Sequence, residues 1–144
     1  MTKYQEIKAK QEKELNAFPF MWAFSTDQFN AGMKGLGLEP TDTDKIFSIG
    51  AGGYIRKTDA PAMKEMFARH KAELKAARAA DKKAKGFTFE MFLHELDNHE
   101  YGYTGDATET LEALGLSWQE VKADKRLSDA LNKAIKTINA REAM

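Results

Sequence analysis

Apolar residues recur at helical spacing along most of the chain. Between residues 2 and 17, Tyr4, Ile7 and Leu15 fall near one helical face, and charged residues lie between them. Comparable patterns predict further helices over residues 26–35, 60–83, 87–99, 105–114 and 124–141. The chain is therefore predicted to be mostly helical.

Helix start signals precede several of these segments. Ser25 is followed three residues later by Gln28, and Ser117 by Glu120, which is the spacing of a capping box. Ser117 therefore predicts the start of a short additional helix. Thr104 is predicted to cap the helix that follows it, because a threonine oxygen can accept a hydrogen bond from a free N–H of the first turn. In all, about six helices are predicted.

One part of the chain has the composition of a small β element. Residues 45–49 and 54–57 are rich in β-branched and aromatic side chains, and they flank the glycine-rich residues 50–53. This arrangement predicts a β-hairpin. A glycine-rich loop can also cradle phosphate, but that use requires a helix N-terminus after the loop, and here a strand pattern follows. The predicted fold class is mainly α (α+β), a compact helical domain with one small β-hairpin near residues 45–57.

Residues 18–24 form the most apolar stretch of the chain. Pro19 ends the first helix, because the residue before a proline avoids helical geometry. The aromatic residues that follow favour a core linker or a short strand. An exposed binding patch is the alternative for this stretch.

Length and composition exclude several classes of protein. The chain has 144 residues, which predicts a single domain over residues 1–144 that buries about two-thirds of its unfolded surface. It has no cysteine, so a disulfide framework and a thiolate nucleophile are excluded. No apolar run approaches the roughly 20 residues of a bilayer-spanning helix, so no membrane association is predicted. These features fit a cytoplasmic protein.

Opposite charges are concentrated in two consecutive segments. Residues 64–85 hold eight lysines and arginines against three acids, whereas residues 86–121 hold eight acids and no lysine or arginine. The zero net charge argues against a general nucleic-acid binder, and aromatic residues are not interleaved with the basic ones. The acidic segment instead suits a basic protein partner. The predicted partner-binding carboxylates are Glu90, Glu109, Glu112 and Glu120.

Residues 94–99, HELDNH, resemble the zinc-protease motif HExxH in composition but not in spacing. His94 and His99 are five residues apart, so on a continuous helix they point about 140° away from each other. One ion cannot then bind both histidines, and a protease of this type is excluded. The expected buried stripe of this helix is Phe89, Phe92, Leu93 and Leu96, which leaves His94 in solvent.

Glu95 and His99 are four residues apart and therefore lie side by side on a helix. A third ligand for a metal could come from the otherwise apolar face of the helix that carries His70. The predicted metal ligands are His70, Glu95, His99 and Asp106, a set that suits zinc or another divalent ion. The alternative is a buried hydrogen-bond network without a metal. Spacing alone favours this network, because two-residue matches are common.

Three segments are distinctive when taken together. They are WAFSTDQFNAGMKGLGL at 22–38, KIFSIGAGGYIRKTD at 45–59 and MFLHELDNHEYGYTGDATETLEALGL at 91–116, with NHE at 98–100 and TGD at 104–106 the most specific words. The chain resembles a family of small, mostly uncharacterised proteins from Firmicute genomes, phages and other mobile elements. Similar proteins occur among anti-CRISPR proteins, specifically metal-containing inhibitors of type II Cas9. The resemblance implies a metal near His99 and leaves the other ligands open.

Three functions are open at this point. The leading interpretation is an inhibitor encoded by a mobile element, which binds a host protein, Cas9 by the resemblance, in the bacterial cytoplasm. It would block nucleic-acid loading or cleavage without catalysis, and its metal would be structural. The second is a metal-dependent hydrolase, a nuclease or phosphoesterase, that uses Glu95, His99 and Asp106. The third is a nucleic-acid-binding module that uses the basic helix over residues 64–85.

Overall fold

The computed structural model describes residues 1–82 and 86–143. The α-helices in these residues are α1 (Lys3–Ala17), α2 (Thr26–Gly35), α3 (Ala60–Ala80), α4 (Phe87–Asn98), α5 (Tyr101–Thr104), α6 (Thr108–Ala113), α7 (Trp118–Ala123) and α8 (Lys125–Glu142). The strands are β1 (Met21–Trp22), β2 (Ile46–Gly50) and β3 (Gly53–Arg56). The predicted fold class, mainly α with a small β element, is confirmed.

Two compact units can be distinguished along the chain. The first unit comprises Met1–Ala9 and Glu73–Met144, and the second unit comprises Lys10–Ala72. The boundary falls inside α1 and inside α3. A single domain over residues 1–144 stays a prediction. None of the helices in residues 1–82 and 86–143 has the length and apolar character to cross a bilayer.

The core of the first unit is built around α4. Helix α8 packs along α4 with the side chains of Ala130, Leu131, Ala134 and Ile138, whose spacing puts them on one helical face. The fully buried aromatic residues of this core are Tyr4 and Phe92. Most of the free energy that stabilises the unit comes from removing these apolar surfaces from water.

The buried face of α4 is wider than the sequence predicts. Phe92 and Leu96 are fully buried as expected, but Phe89 and Leu93 are only partly buried. Glu95 belongs to the buried face instead. The difference arises because both α6 and α8 pack on α4, so more of its circumference is covered than a single apolar stripe provides.

The second unit contains a three-stranded antiparallel sheet with the order β1-β3-β2. Strands β2 and β3 form the predicted hairpin, and β1 adds to its other side through Met21 opposite Tyr54 and Trp22 opposite Gly53. One face of the sheet packs on α2. The cluster of buried side chains between them consists of Met21, Met33, Leu36 and Ile46.

Residues 18–24 divide between the core and the surface. Met21 is buried, whereas Trp22 and Phe24 are 54% and 77% exposed. The reason is the alternation of an extended chain, in which neighbouring side chains point to opposite faces. The predicted short strand is therefore confirmed for Met21 and Trp22, but of these three side chains only that of Met21 belongs to the core.

The glycine-rich loop between β2 and β3 is a turn, as predicted. Gly52 has a φ of +80°, and a Cβ placed there would lie 2.5 Å from Cε1 of Phe24. A Cβ on Gly53 would lie 2.6 Å from Cζ3 of Trp22. The glycines therefore allow aromatic rings to lie directly against the backbone, and the loop leads into β3 rather than into a helix.

Two of the three predicted helix caps are confirmed. The side chain of Ser25 accepts a hydrogen bond from the N–H of Gln28, and Ser117 forms a full capping box with Glu120. The cap at Thr104 is wrong, because Thr104 is the last residue of α5 and α6 begins at Thr108. Helix α3 ends at Ala80, and the predicted end near residue 83 lies outside the described residues.

Candidate functional site

Glu95 is a buried carboxylate in the core of the first unit, with 4% of its surface exposed. Its Oε1 lies 3.8 Å from Nε2 of His94, and its Oε2 lies 4.0 Å from Nε2 of His99. The predicted neighbourhood of Glu95 and His99 is therefore confirmed. A buried carboxylate is costly unless polar or charged groups surround it, and the two imidazoles supply such groups.

The sequence predicts that His94 lies in solvent, but in the structure its side chain is partly covered. Its ring lies 5.5 Å from the ring of Tyr4, and its Nδ1 is 3.4 Å from Nε2 of Gln5. The first turns of α1 lie beside this flank of α4 and cover part of the imidazole. His94 and His99 still do not face each other, because each approaches the carboxylate that lies between them.

Tyr4 is fully buried beside Glu95. Its hydroxyl has no hydrogen bond of good geometry among the described residues. Burial raises the pKa of this phenol, and the negative charge of Glu95 raises it further. Tyr4 therefore stays protonated through the neutral pH range. Its ring packs edge-on against Phe87, with the centroids 5.8 Å apart.

His99 connects the buried carboxylate to the surface. Its Nδ1 lies 3.7 Å from Oε2 of Glu109, whose side chain is 77% exposed. The hydroxyl of the buried Thr110 donates to the carbonyl oxygen of Glu95 at 3.3 Å. These contacts fix α6 against α4. We refer to Tyr4, His94, Glu95, His99 and Glu109 as the polar cluster.

The other two predicted metal ligands have different surroundings. His70 belongs to the second unit, where its Nε2 lies 3.6 Å from Oε1 of Glu14 and has no hydrogen bond among the described residues. Asp106 is exposed, and hydrogen bonds from the side chain of Thr108 and from its N–H, the latter to Oδ1 at 2.9 Å, lower the pKa of the carboxyl. Within residues 1–82 and 86–143, no three His, Asp or Glu side chains are grouped so as to hold a metal ion. The zinc or other divalent ion stays a prediction.

The predicted partner-binding carboxylates occupy different surroundings. Glu109 and Glu112 are exposed and three residues apart on α6, so they lie on the same side of that helix. Glu90 is partly buried. Glu120 is exposed, but its Oε1 accepts hydrogen bonds from the N–H and the hydroxyl of Ser117.

Two further acids in the α5–α6 segment are exposed. They are Glu100 and Asp106, and with Glu109 and Glu112 they form what we call the acidic surface. Asp97 nearby is paired with Arg141, whose Nη1 lies 3.1 Å from its Oδ2. The acidic surface is thus a run of exposed carboxylates in a part of the chain that has no lysine or arginine.

The fold and the polar cluster define a small, mainly helical protein with a small antiparallel sheet and a buried carboxylate flanked by histidines. The chain belongs to a protein family of unknown function, DUF7659, whose family model matches residues 3–137. No curated protein and no solved structure matches the chain. The resemblance to phage and anti-CRISPR proteins stays a prediction.

Proposed function

We propose that this protein is a binding protein without catalytic activity, which inhibits a basic host protein by covering part of its surface. The acidic surface carries this proposal. Its carboxylates are exposed, and no lysine or arginine lies between residues 86 and 121 to neutralise them along the chain. Such a run of charge accelerates association with a positively charged partner.

The surroundings of the polar cluster support binding over catalysis. A catalytic carboxylate must reach its substrate, yet Glu95 is enclosed by Tyr4, His94 and His99. The small hollow beside the cluster, about 160 Å³, is lined by His94 and not by Glu95. Asp106, the third residue of the alternative hydrolase, accepts a hydrogen bond from the N–H of Thr108, the first residue of α6. The polar cluster is therefore better suited to hold α4 and α6 together beneath the acidic surface.

The proposed partner is Cas9, as the sequence resemblance implies. Cas9 holds its guide–target heteroduplex in a positively charged channel and recognises it through the backbone. Exposed carboxylates can take the place of phosphates in such a channel, so loading of guide or target would be blocked. The protein would act in the cytoplasm of the bacterial host. A structural zinc or other divalent ion is a separate proposal, and inhibition by the acidic surface does not require it.

The test is charge reversal on α6. The double variant Glu109→Lys with Glu112→Lys is expected to weaken binding to purified type II Cas9 at least ~10-fold, which corresponds to about 1.4 kcal/mol. The wild-type affinity should also fall as salt is raised, because exposed charges are screened. Biolayer interferometry at two salt concentrations measures both effects.

The matched control is Glu12→Lys with Glu65→Lys. These two glutamates are exposed in the second unit, and the change in net charge is the same. The control should bind like the wild type. Equal weakening in both double variants would show that only net charge matters, and unchanged affinity of the α6 variant would refute the acidic surface. Failure of the wild type to bind any Cas9 would refute the partner.

A further inference from the structure

The first unit contains a cleft that the proposed function does not use. Its volume is about 390 Å³, and it lies among the second half of α3, the start of α4, helix α7 and the start of α8. Small-molecule sites in proteins typically have volumes of about 300–1,000 Å³. Leu116 and Leu127 contribute apolar surface to its lining. The cleft therefore has the size and part of the lining of a ligand site.

Three cations line the same cleft, namely Lys75, Arg78 and Arg126. Arg78 is partly buried. Burial lowers the pKa of its guanidinium, and the carboxylates of Glu120 and Asp124 act in the opposite direction. An arginine nevertheless remains protonated at neutral pH. A partly desolvated positive charge thus lies at the wall of the cleft.

The two acids of the cleft are engaged in helix caps. Oε1 of Glu120 accepts from the N–H of Ser117 at 3.3 Å and from its hydroxyl at 3.2 Å. Oδ1 of Asp124 accepts from the N–H of Arg126 at 2.9 Å and lies 3.9 Å from its Nε. In the part of the chain that the structure describes, neither acid forms an ion pair with Arg78. Asp124 also pairs with Arg126, so the lining holds three positive and two negative side chains, an excess of one positive charge.

The geometry points to a binding site for a small phosphorylated organic anion, whose phosphate pairs with Arg78 and Arg126 while its apolar part lies against Leu116 and Leu127. Guanidinium groups bind phosphate through two parallel hydrogen bonds, which favours arginine pairs at such sites. Lys75 adds a further positive charge. A nucleoside monophosphate combines the required phosphate and apolar ring.

Isothermal titration calorimetry with adenosine monophosphate as the probe tests this site. Adenosine and inorganic phosphate are titrated separately, since each offers only one half of the recognition. Adenosine monophosphate is expected to bind more tightly than either. In a proton–nitrogen correlation spectrum, the amides of Leu116, Arg126 and Leu127 are expected to shift on binding.

The variants Arg78→Gln and Arg126→Gln are each expected to weaken the probe at least ~10-fold. The matched control is Arg141→Gln, because Arg141 pairs with Asp97 and does not line the cleft. Circular dichroism checks the fold of each variant. The side chain of Arg126 is 45% exposed, so its substitution tests the site even where Arg78→Gln fails to fold.

Absence of binding at millimolar adenosine monophosphate would overturn the site, and so would equal weakening in Arg141→Gln. Inorganic phosphate that binds as tightly as the nucleotide would overturn the assignment to an organic anion. Binding of a phosphopeptide without binding of the nucleotide would overturn the assignment to a small molecule. Glu109 and Glu112 do not line the cleft, so these outcomes are independent of binding through the acidic surface.

Discussion

A buried tyrosine hydroxyl normally has a hydrogen-bond partner, yet that of Tyr4 has none of good geometry among the described residues. An unsatisfied buried polar group costs about 1–3 kcal/mol of stability. The ring, by contrast, is fully buried and contacts Phe87. Tyr4 therefore stabilises the first unit through its ring, and its hydroxyl opposes part of that gain.

Replacing Tyr4 with phenylalanine is expected to leave the free energy of unfolding unchanged or to raise it by about 1 kcal/mol, because the variant removes an unsatisfied hydroxyl and keeps the ring. Tyr4→Ala is expected to lower it by about 3–5 kcal/mol, the usual loss for a large buried aromatic side chain. Urea unfolding at pH 7 measures both. A loss of 1 kcal/mol or more in Tyr4→Phe would show instead that the hydroxyl donates to Glu95.

The same residue predicts an alkaline effect. The folded-state pKa of Tyr4 lies above the value of about 10 in an unfolded chain, so its contribution to stability is present below pH 10 and is lost as pH rises further. Between pH 10 and 11 the wild type should lose about 1 kcal/mol more than Tyr4→Phe. Urea unfolding at pH 9, 10 and 11 gives this difference. Equal pH dependence in the two proteins would contradict it.

At the scale of elements, the hairpin loop and the segment after β1 depend on each other. Gly50 and Gly52 both have positive φ, but only at Gly52 would a Cβ meet a ring, that of Phe24. Both substitutions to alanine carry the backbone cost of a left-handed conformation, about 1–2 kcal/mol. Gly52→Ala carries a steric cost in addition.

We therefore expect Gly52→Ala to lower the melting temperature more than Gly50→Ala. Adding Phe24→Ala should remove the extra loss in the Gly52→Ala background and should not rescue Gly50→Ala, because only the first pair is in contact. Thermal unfolding of the single and double variants forms the cycle. Additive losses throughout would mean that the Phe24 ring moves aside without cost.

Local signals account for the elements that the sequence predicts well. Ser117 and Glu120 lie three residues apart, and the turn of the hairpin is formed by Gly50, Ala51 and Gly52, which follow one another and all have positive φ. The pairing of β1 with β3 joins Met21 to Tyr54, which lie far apart in the chain, and no local pattern specifies such a partner. Thr104 closes α5 and does not cap α6, because Gly105, at φ +69°, ends α5 after a single turn.

At the scale of the whole molecule, the two units have cores of different size. The core of the first unit includes side chains from α1, α4, α6 and α8, whereas the cluster in the second unit consists of Met21, Met33, Leu36 and Ile46 with partly buried neighbours. Fewer buried apolar contacts permit opening at a lower free energy. We therefore expect the second unit to be the less protected part of the chain.

Native-state hydrogen exchange should show this difference. The amides of β2 and β3 are expected to exchange through openings of lower free energy than the amides of α4. The difference between these two opening free energies should disappear only at denaturant concentrations that approach global unfolding. Phe92→Ala, which leaves a cavity in the core of the first unit, should reduce the protection of the α4 amides against exchange. Protection of β3 equal to that of α4 in the wild type would contradict the expectation.

The polar cluster shows where inference from sequence ends. The spacing of Glu95 and His99 places them together correctly, because His99 directly follows α4 as its C-cap and stays one turn beyond Glu95. Tyr4 and Glu95 are far apart in the chain, and their contact depends on how α1 packs beside α4. The sequence indicates only that Tyr4 shares an apolar face with Ile7 on the first helix.

The two tryptophans of the chain are divided between the units. Trp22 lies on β1 of the second unit and is 54% exposed, and Trp118 opens α7 in the first unit and is 43% exposed. Each unit thus carries its own intrinsic fluorophore. In Trp118→Phe the emission reports on the sheet alone, and in Trp22→Phe it reports on the helical unit alone, so separate or concerted melting of the units can be followed without any added label.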